Sequence, residues 1–358
     1  MNFLKCTPTV FVIENDYEIL INTISCGIIS VNVNGKTYYE ENSGVLSSEK
    51  SFAKIRLPQT ELNKAKSYEI CFRKCIKRQA YFSKFDEKLC ATFSFSPINK
   101  TENINVYHVA DVHYNFNSAI KTCSYFKNDI DLFIVNGDIG EVETEENYFE
   151  VARFTGEISH GQIPVVFARG NHDTRGKLAE KFTDYFPANG KDTFFTFNVG
   201  AISGVVLDCG EDKLDSHPEY NNVNDFSSFR QKQLKFLSNL NKSENKYFIA
   251  VCHMCPVIGD IERREVFTIE TNTYKKWNDE LIRIGVDLMI CGHYHKTFIA
   301  ENNDAKNLFS HPYPVLVGSA LDDKNKVIGC AMVLQNNTVE ISFTDENNSV
   351  LEIKFLKI

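Results

Sequence analysis

The stretch that decides the fold runs Val106-Tyr107-His108-Val109-Ala110-Asp111-Val112-His113. It reads as a short buried strand that stops at an aspartate and a histidine two residues apart. The same grammar recurs downstream, where apolar runs end at Asn136-Gly137-Asp138, at Gly170-Asn171-His172-Asp173, at His253 and at Gly292-His293-Tyr294-His295. In open α/β sheets ligands gather outside the carboxyl ends of strands, because each strand there hands a loop and its polar groups to one shared crevice. The five endings are therefore read as one site.

Outward from that stretch, residues 105–110, 131–135, 164–168, 247–252 and 286–291 are apolar, β-branched-rich runs, the pattern of strands covered on both faces. Between them the periodicity predicts helices over 117–127, 144–159, 175–186, 227–240 and 273–284. The last is the cleanest, with Tyr274, Trp277, Leu281 and Ile284 on one stripe and Gly285 at the stop. Further runs at 194–199, 202–207, 315–317, 327–334, 338–343 and 351–355 predict a second sheet stacked on the first. The expected class is α/β, a double-sheet sandwich flanked by helices.

Residues 9–97 have a different texture. Runs at 10–12, 17–21, 28–33, 52–57, 68–72 and 91–95 alternate with turn signals at the spacing of a β-sandwich, with no convincing helix. Asn34-Gly35 is the best hairpin turn. Leu62 to Tyr68 resembles the tyrosine corner of fibronectin type III and immunoglobulin-like sandwiches, with Ala65 where that turn usually has glycine. The polar connector Ser96-Pro97-Ile98-Asn99-Lys100-Thr101-Glu102-Asn103 marks the change. The expected domains are thus a small all-β sandwich over 1–98 and the α/β unit over 99–358.

At 358 residues, with 43% hydrophobic and 24% charged side chains, the chain has ample material for a large core. A net charge of -8 argues against a broad nucleic-acid surface. No run approaches the roughly 20 apolar residues of a membrane span, and no signal-peptide apolar region forms near the start. Eleven cysteines scattered through apparent strands fit reduced buried thiols better than a disulfide framework. A cytoplasmic protein is expected, with no membrane or nucleic-acid partner and an oligomeric state left open.

The chemistry sits at the strand ends. Two cations about 3.5–4 Å apart need a bridging ligand, and a carboxylate suits because its two oxygens and negative charge offset metal–metal repulsion. Asp138 is the natural bridge. Asp111, His113 and His295 would serve one cation; Asn171, His253 and His293 would serve the other. Oxygen and imidazole ligands without thiolate suit Mn, Fe, Zn or Co. Water held between two such cations loses its proton far more readily and becomes a nucleophile, while the cations neutralise phosphoryl oxygens. His172 is placed to protonate the leaving oxygen. Asp173 would either orient its imidazole or bond to loop backbone.

Asp-x-His, Gly-Asp-x-Gly, Gly-Asn-His-Asp, a lone histidine after a strand and Gly-His-x-His, in that order, resemble the calcineurin-like metallophosphoesterase superfamily over roughly residues 103–317. The resemblance implies a two-metal phosphoester hydrolase, acting on phosphomonoesters or phosphodiesters by attack of a dimetal-bridging hydroxide. A leading sandwich also resembles that of purple acid phosphatases. Glu141 stands where those enzymes have a tyrosine three residues after the bridging aspartate, and their first motif lacks the histidine present here as His113. The ferric-tyrosinate colour is therefore expected to be absent. The rival readings are a scaffold with a vestigial site and a nuclease.

Arg169 and Arg175, with Lys177, flank Gly170–Asp173, and Lys213 lies in the loop 208–225; these are the candidate substrate cations. Arg263 and Arg264 lie in a second long loop. Those two loops and residues 141–147 form the expected rim of the crevice. Cys252 and Cys255 around His253 read as a strand end and a turn, not as a zinc or redox pair. His108, His160, His217 and His311 match no motif and read as packed or surface histidines.

Overall fold

The computed structural model describes residues 3–259 and 269–358, so Arg263 and Arg264 lie outside the described residues. The strands before residue 98 are β1 (Thr9–Ile13), β2 (Asp16–Asn22), β3 (Gly27–Val33), β4 (Lys36–Tyr38), β5 (Phe52–Pro58), β6 (Ser67–Lys77), β7 (Lys84–Phe85) and β8 (Leu89–Ser94). Those that follow are β9 (Ile104–Val109), β10 (Leu132–Asn136), β11 (Pro164–Ala168), β12 (Phe195–Val199), β13 (Ile202–Leu207), β14 (Tyr247–Cys252), β15 (Leu288–Cys291), β16 (Phe298–Ala300), β17 (Val315–Val317), β18 (Ala320–Leu321), β19 (Val327–Gln335), β20 (Thr338–Thr344) and β21 (Val350–Lys357).

Two sheets carry the site. The larger runs β21-β20-β19-β9-β10-β11-β1-β2-β5, with β18 on β19; the second runs β12-β13-β14-β15-β17-β16. β9, β10, β11 and β1 are mutually parallel, as are β13, β14, β15 and β17. Val106, Leu132, Ile134 and Val166 of the first sheet join Val206, Ile249, Ile290 and Leu316 of the second in one inter-sheet core. Val109, Phe133, Val135 and Phe167 point the other way, under the helices Phe116–Thr122 and Glu145–Ser159. Both faces of these strands are thus covered, which is why their sequences read as continuous apolar runs and not as alternation. At about 1.5–3 kcal/mol for each large aliphatic or aromatic side chain buried, this layering outweighs any local propensity.

The second sheet is backed by the helices Phe226–Ser238 and Thr271–Ile284. Tyr274, Trp277, Leu281 and Ile284 are all buried, and Gly285 closes the helix in the left-handed region, as the stripe predicts. The double-sheet α/β sandwich is therefore the observed architecture.

The β-rich leader is built less simply. A third sheet runs β4-β3-β6-β7, with β8 on β6, and the Asn34-Gly35 turn joins β3 to β4 with both residues at positive φ. β1, β2 and β5, however, are hydrogen bonded into the large sheet, β1 lying parallel beside β11. A division at 98/99 separates two textures of sequence while this sheet continues across it.

Three expectations are corrected here. Gln59–Ala65 is a helix, closed by Lys66 at φ 55°. The stretch 62–68 is accordingly no tyrosine corner: the Tyr68 hydroxyl donates to Gly161 O at 2.8 Å, tying the leader to the α/β unit instead of to its own turn. Cys71 and Cys90 face each other across β6 and β8 and are disulfide-paired, while the nine other cysteines are free. Register, which decides that pairing, is invisible to cysteine spacing.

Candidate metal centre

The parallel strands β9, β10, β14 and β15 end at one rim, and there the chain must turn sharply to leave the sheets. Asp111, His113, Asp138, His293 and His295 all sit at positive φ, between 43° and 72°. This region is uncommon for residues with a Cβ, and its concentration at one rim marks a constrained site. Released from strand alternation, Asp111 and His113 both turn inward. Gly170 is required by the close approach of the next loop, since a Cβ there would overlap Asp138 Oδ1.

The seven ligand candidates converge. His113 Nε2 and His295 Nε2 are 3.2 Å apart, and His295 Nε2 is 3.6 Å from Asp111 Oδ1. His253 Nε2 lies 3.1 Å from Asp138 Oδ2 and 3.7 Å from Asp111 Oδ1. His293 Nδ1 lies 3.0 Å from Asn171 Oδ1. Compact donor groups form from Asp111, His113 and His295, and from Asp138, His253 and His293, with Asp138 also grouped with His113 and His172.

The supporting bonds fix these groups. His253 Nδ1 donates to Asn136 O at 2.6 Å, which turns Nε2 into the site. The Asp111 carboxylate accepts from His293 N, and Asp138 Oδ1 accepts from His172 N at 2.8 Å. Burial, opposed by His253 and reinforced by Asp138, pushes the Asp111 carboxyl up to about 7. Burial also acts to raise Asp138, but the facing imidazoles of His253, His172 and His113 outweigh it and hold that carboxyl below the usual range. Burial disfavours a charged His253, yet Asp138 and Asp111 prevail and push it up to about 10. Burial pushes His113 and His293 down to about 4, so both are neutral at pH 7, the form that ligates a metal.

Asn171 supplies the test of fit. Its Oδ1 faces two acceptors, His293 Nδ1 and Asp138 Oδ2. Turned the other way, the amide nitrogen would donate to both while the oxygen accepts from Arg175 Nη2 at 3.1 Å. An amide oxygen, a carboxylate oxygen and an imidazole lone pair converging without a donor among them is the arrangement a cation neutralises. The residues present fit divalent metal ions.

His172 lies at the edge of this cage, partly exposed, with Nε2 4.0 Å from Asp138 Oδ2 and its ring edge-on to His113. Asp173 does not orient it. The Asp173 carboxylate accepts from Gly170 N and Asp138 N, so of the two roles open to it the backbone one is realised. Arg169 is held by Asp208 at 2.7 Å, and Lys213 lies 3.4 Å from Asp212 and 3.0 Å from Glu219. Arg175 clamps Glu211 through Nε and Nη2, with Nη1 3.5 Å from His172 Nε2. Lys177 lines the same cleft, which measures about 510 Å³.

The carboxylates behind those cations were missed in the sequence. Asp208 and Glu211 are fully buried, and Glu211 also accepts from Thr174 and Tyr220. The signal was available: β13 is one more apolar run ending at an aspartate, in Leu207-Asp208-Cys209-Gly210-Glu211. Cys252 and Cys209 lie 3.5 Å apart in the core behind the rim, where burial pushes the Cys252 thiol well up.

Two stacked sheets with a carboxylate–imidazole cage across their strand ends define a metal-binding α/β protein of the metallophosphoesterase class. The sequence profile of the calcineurin-like phosphoesterase family matches residues 104–297, more than half of the chain, and the chain belongs to that family. It is 27% identical over 140 residues to the serine/threonine-protein phosphatase CPPED1 of Pongo abelii and 26% identical over 140 residues to that of Homo sapiens. Each match covers 37% of this chain and 42% of the relative. In fold it is similar to purple acid phosphatase PPD1 from yellow lupin, Lupinus luteus, with a TM-score of 0.61 at 11% identity, covering 98% of this chain and 74% of that one. It is similar also to PhoD, with a TM-score of 0.58 at 11% identity over 99% and 89% of the two chains. Both likenesses span the β-rich leader as well as the α/β unit.

Proposed function

We propose that the protein is a dinuclear-metal phosphoester hydrolase acting on phosphomonoesters or phosphodiesters. The observation that carries this reading is the convergence of six oxygen and imidazole groups with Asp138 at one rim, in which the amide oxygen of Asn171 faces His293 Nδ1 and Asp138 Oδ2. A bound pair of Mn, Fe, Zn or Co ions would supply an activated water and charge neutralisation for the phosphoryl group. Asp111, His113 and His295 would hold one ion, Asn171, His253 and His293 the other, and Asp138 would bridge them.

The remaining groups act through the protein. His172, exposed at the rim and anchored through its backbone N–H to Asp138, presents an imidazole to the leaving oxygen. Asp173 holds the Gly170 and Asp138 amides, and so the loop that carries Asn171 and His172. Arg175, locked on Glu211, directs its remaining nitrogen toward His172 and is the rim cation placed to meet a phosphoryl oxygen. Arg169, already engaged by Asp208, lines the cleft, and Lys213 is engaged by Asp212 and Glu219. No described helix is long and apolar enough to cross a membrane.

Purified protein is expected to retain about two transition-metal ions per chain and to hydrolyse an activated aryl phosphate. Asp138→Asn is expected to lower turnover by at least about a hundredfold, since losing even an outer partner of a metal ligand costs 10–100-fold. Unchanged turnover in a folded Asp138→Asn protein would exclude the mechanism. A substrate screen should set phosphoserine peptides, the class suggested by the names of the sequence relatives, beside nucleotides and sugar phosphates.

A further inference from the structure

We propose that the β6–β7 hairpin docks the protein on anionic phospholipid surfaces. β3 pairs with β6 only as far as Gly27 opposite Lys74, and β8 pairs with it only between Ser67 and Phe72. Beyond Lys74 the hairpin projects past its sheet, held by the Cys75–Phe85 and Lys77–Lys84 pairs. Its tip carries Tyr81 and Phe82, 80% and 92% exposed, and Ile76 on the stem is 52% exposed. These are large apolar groups in water with nothing among the described residues to cover them.

The tip is built, not loose. Gln79 N and Gln79 O both bond to the Ser83 hydroxyl, at 3.1 and 2.9 Å, and Gln79 Nε2 donates to Phe82 O at 2.9 Å. These bonds hold Phe82 at φ 56°, where its ring points out. Behind the tip, residues 73–88 carry Arg73, Lys74, Lys77, Arg78, Lys84 and Lys88 against Asp86 and Glu87, a local +4 in a chain of net charge -8. All six basic side chains are exposed, and none forms an ion pair with a carboxylate among the described residues.

Aromatic residues at the leading point with Lys and Arg along the flanks is the order of an element that sits at a lipid headgroup boundary. The rings enter the interface while the cations meet anionic headgroups. A single-stranded nucleic acid would instead need a groove to track its backbone, and here the aromatics crown a convex tip. Two copies brought tip to tip would set like charges against each other. The sequence reading expected no membrane partner because it searched for spans.

The test uses the full-length protein and phosphatidylcholine vesicles with and without phosphatidylserine as a minority lipid. The protein is expected to cosediment with the anionic vesicles only, and release by added salt is expected. Tyr81→Ser with Phe82→Ser, and separately Lys77→Gln with Arg78→Gln and Lys84→Gln, should each weaken binding at least tenfold with turnover of a soluble aryl phosphate and the circular dichroism spectrum unchanged. Trp277, buried in the core, is the only tryptophan, so Phe82→Trp adds a reporter whose emission should shift to the blue on anionic vesicles. Absence of vesicle binding overturns the proposal. So does binding that survives loss of both aromatics, or equal affinity for an oligonucleotide with no blue shift, which would make the hairpin a general polyanion patch.

Discussion

Asp138 shows how one side chain organises this site. It reaches both donor groups, accepts from the His172 amide, and has its own amide held by Asp173. His172 lies at the edge of the cage and is held by its backbone N–H, so His172→Ala is expected to leave metal content intact while lowering turnover by roughly 10²–10⁴-fold, the range for a lost general acid. Metal analysis beside steady-state kinetics checks this, and loss of metal would reassign His172 to the cage. His108, three residues before Asp111, has another role. It is fully buried near the Gly318 backbone, with no well-aligned hydrogen-bond partner for either ring nitrogen among the described residues, and burial pushes it from 6.5 down to about 3. Only the unfolded chain takes up its proton between those values, so folding stability is lost as pH falls through that window. The loss amounts to about 2 kcal/mol from pH 6.5 to 5. Urea unfolding of His108→Leu should show an acid limb flatter by that amount; parallel limbs would refute the assignment.

At the scale of elements, local signals succeeded where the end of an element is chemically marked. Thr144 caps the helix Glu145–Ser159: its hydroxyl accepts from Asn147 N, and Asn147 returns a bond to the Thr144 amide. Thr144→Ala should cost about 1 kcal/mol, read as a lower urea midpoint with an unchanged slope. The helix expected over 175–186 shrinks to a short turn, Ala179–Lys181, and Phe182–Tyr185. Arg175 is extended there because it clamps Glu211, 36 residues away, and Gly176 turns at φ 105°. A long-range ion pair overrode a helical pattern. The ligand candidates were legible because each follows a strand. The Asp208 and Glu211 support was written in the same grammar and escaped notice for want of a histidine.

For the molecule as a whole, the consequential fact is that β1 lies against β11. Val10, Phe11, Val12 and Ile13 are completely buried, and Lys54 donates to the carbonyls of Thr183 and Phe186 across the same seam. A chain cut back to residues 99–358 would open the β11 edge and uncover that core. It is expected to aggregate where the full chain does not, as sedimentation would report; a soluble, metal-loaded fragment would contradict this. By itself the sequence determined the strand-and-helix order of the α/β unit and the residues at its strand ends, because burial on two faces and sharp strand exits leave local marks. Tertiary contacts alone settle which strands the leader shares with the large sheet, that Cys90 stands opposite Cys71, and that Arg169 and Arg175 are already matched by buried carboxylates. Those outcomes depend on register and on contacts between residues far apart in the chain, for which neither periodicity nor spacing carries a signal.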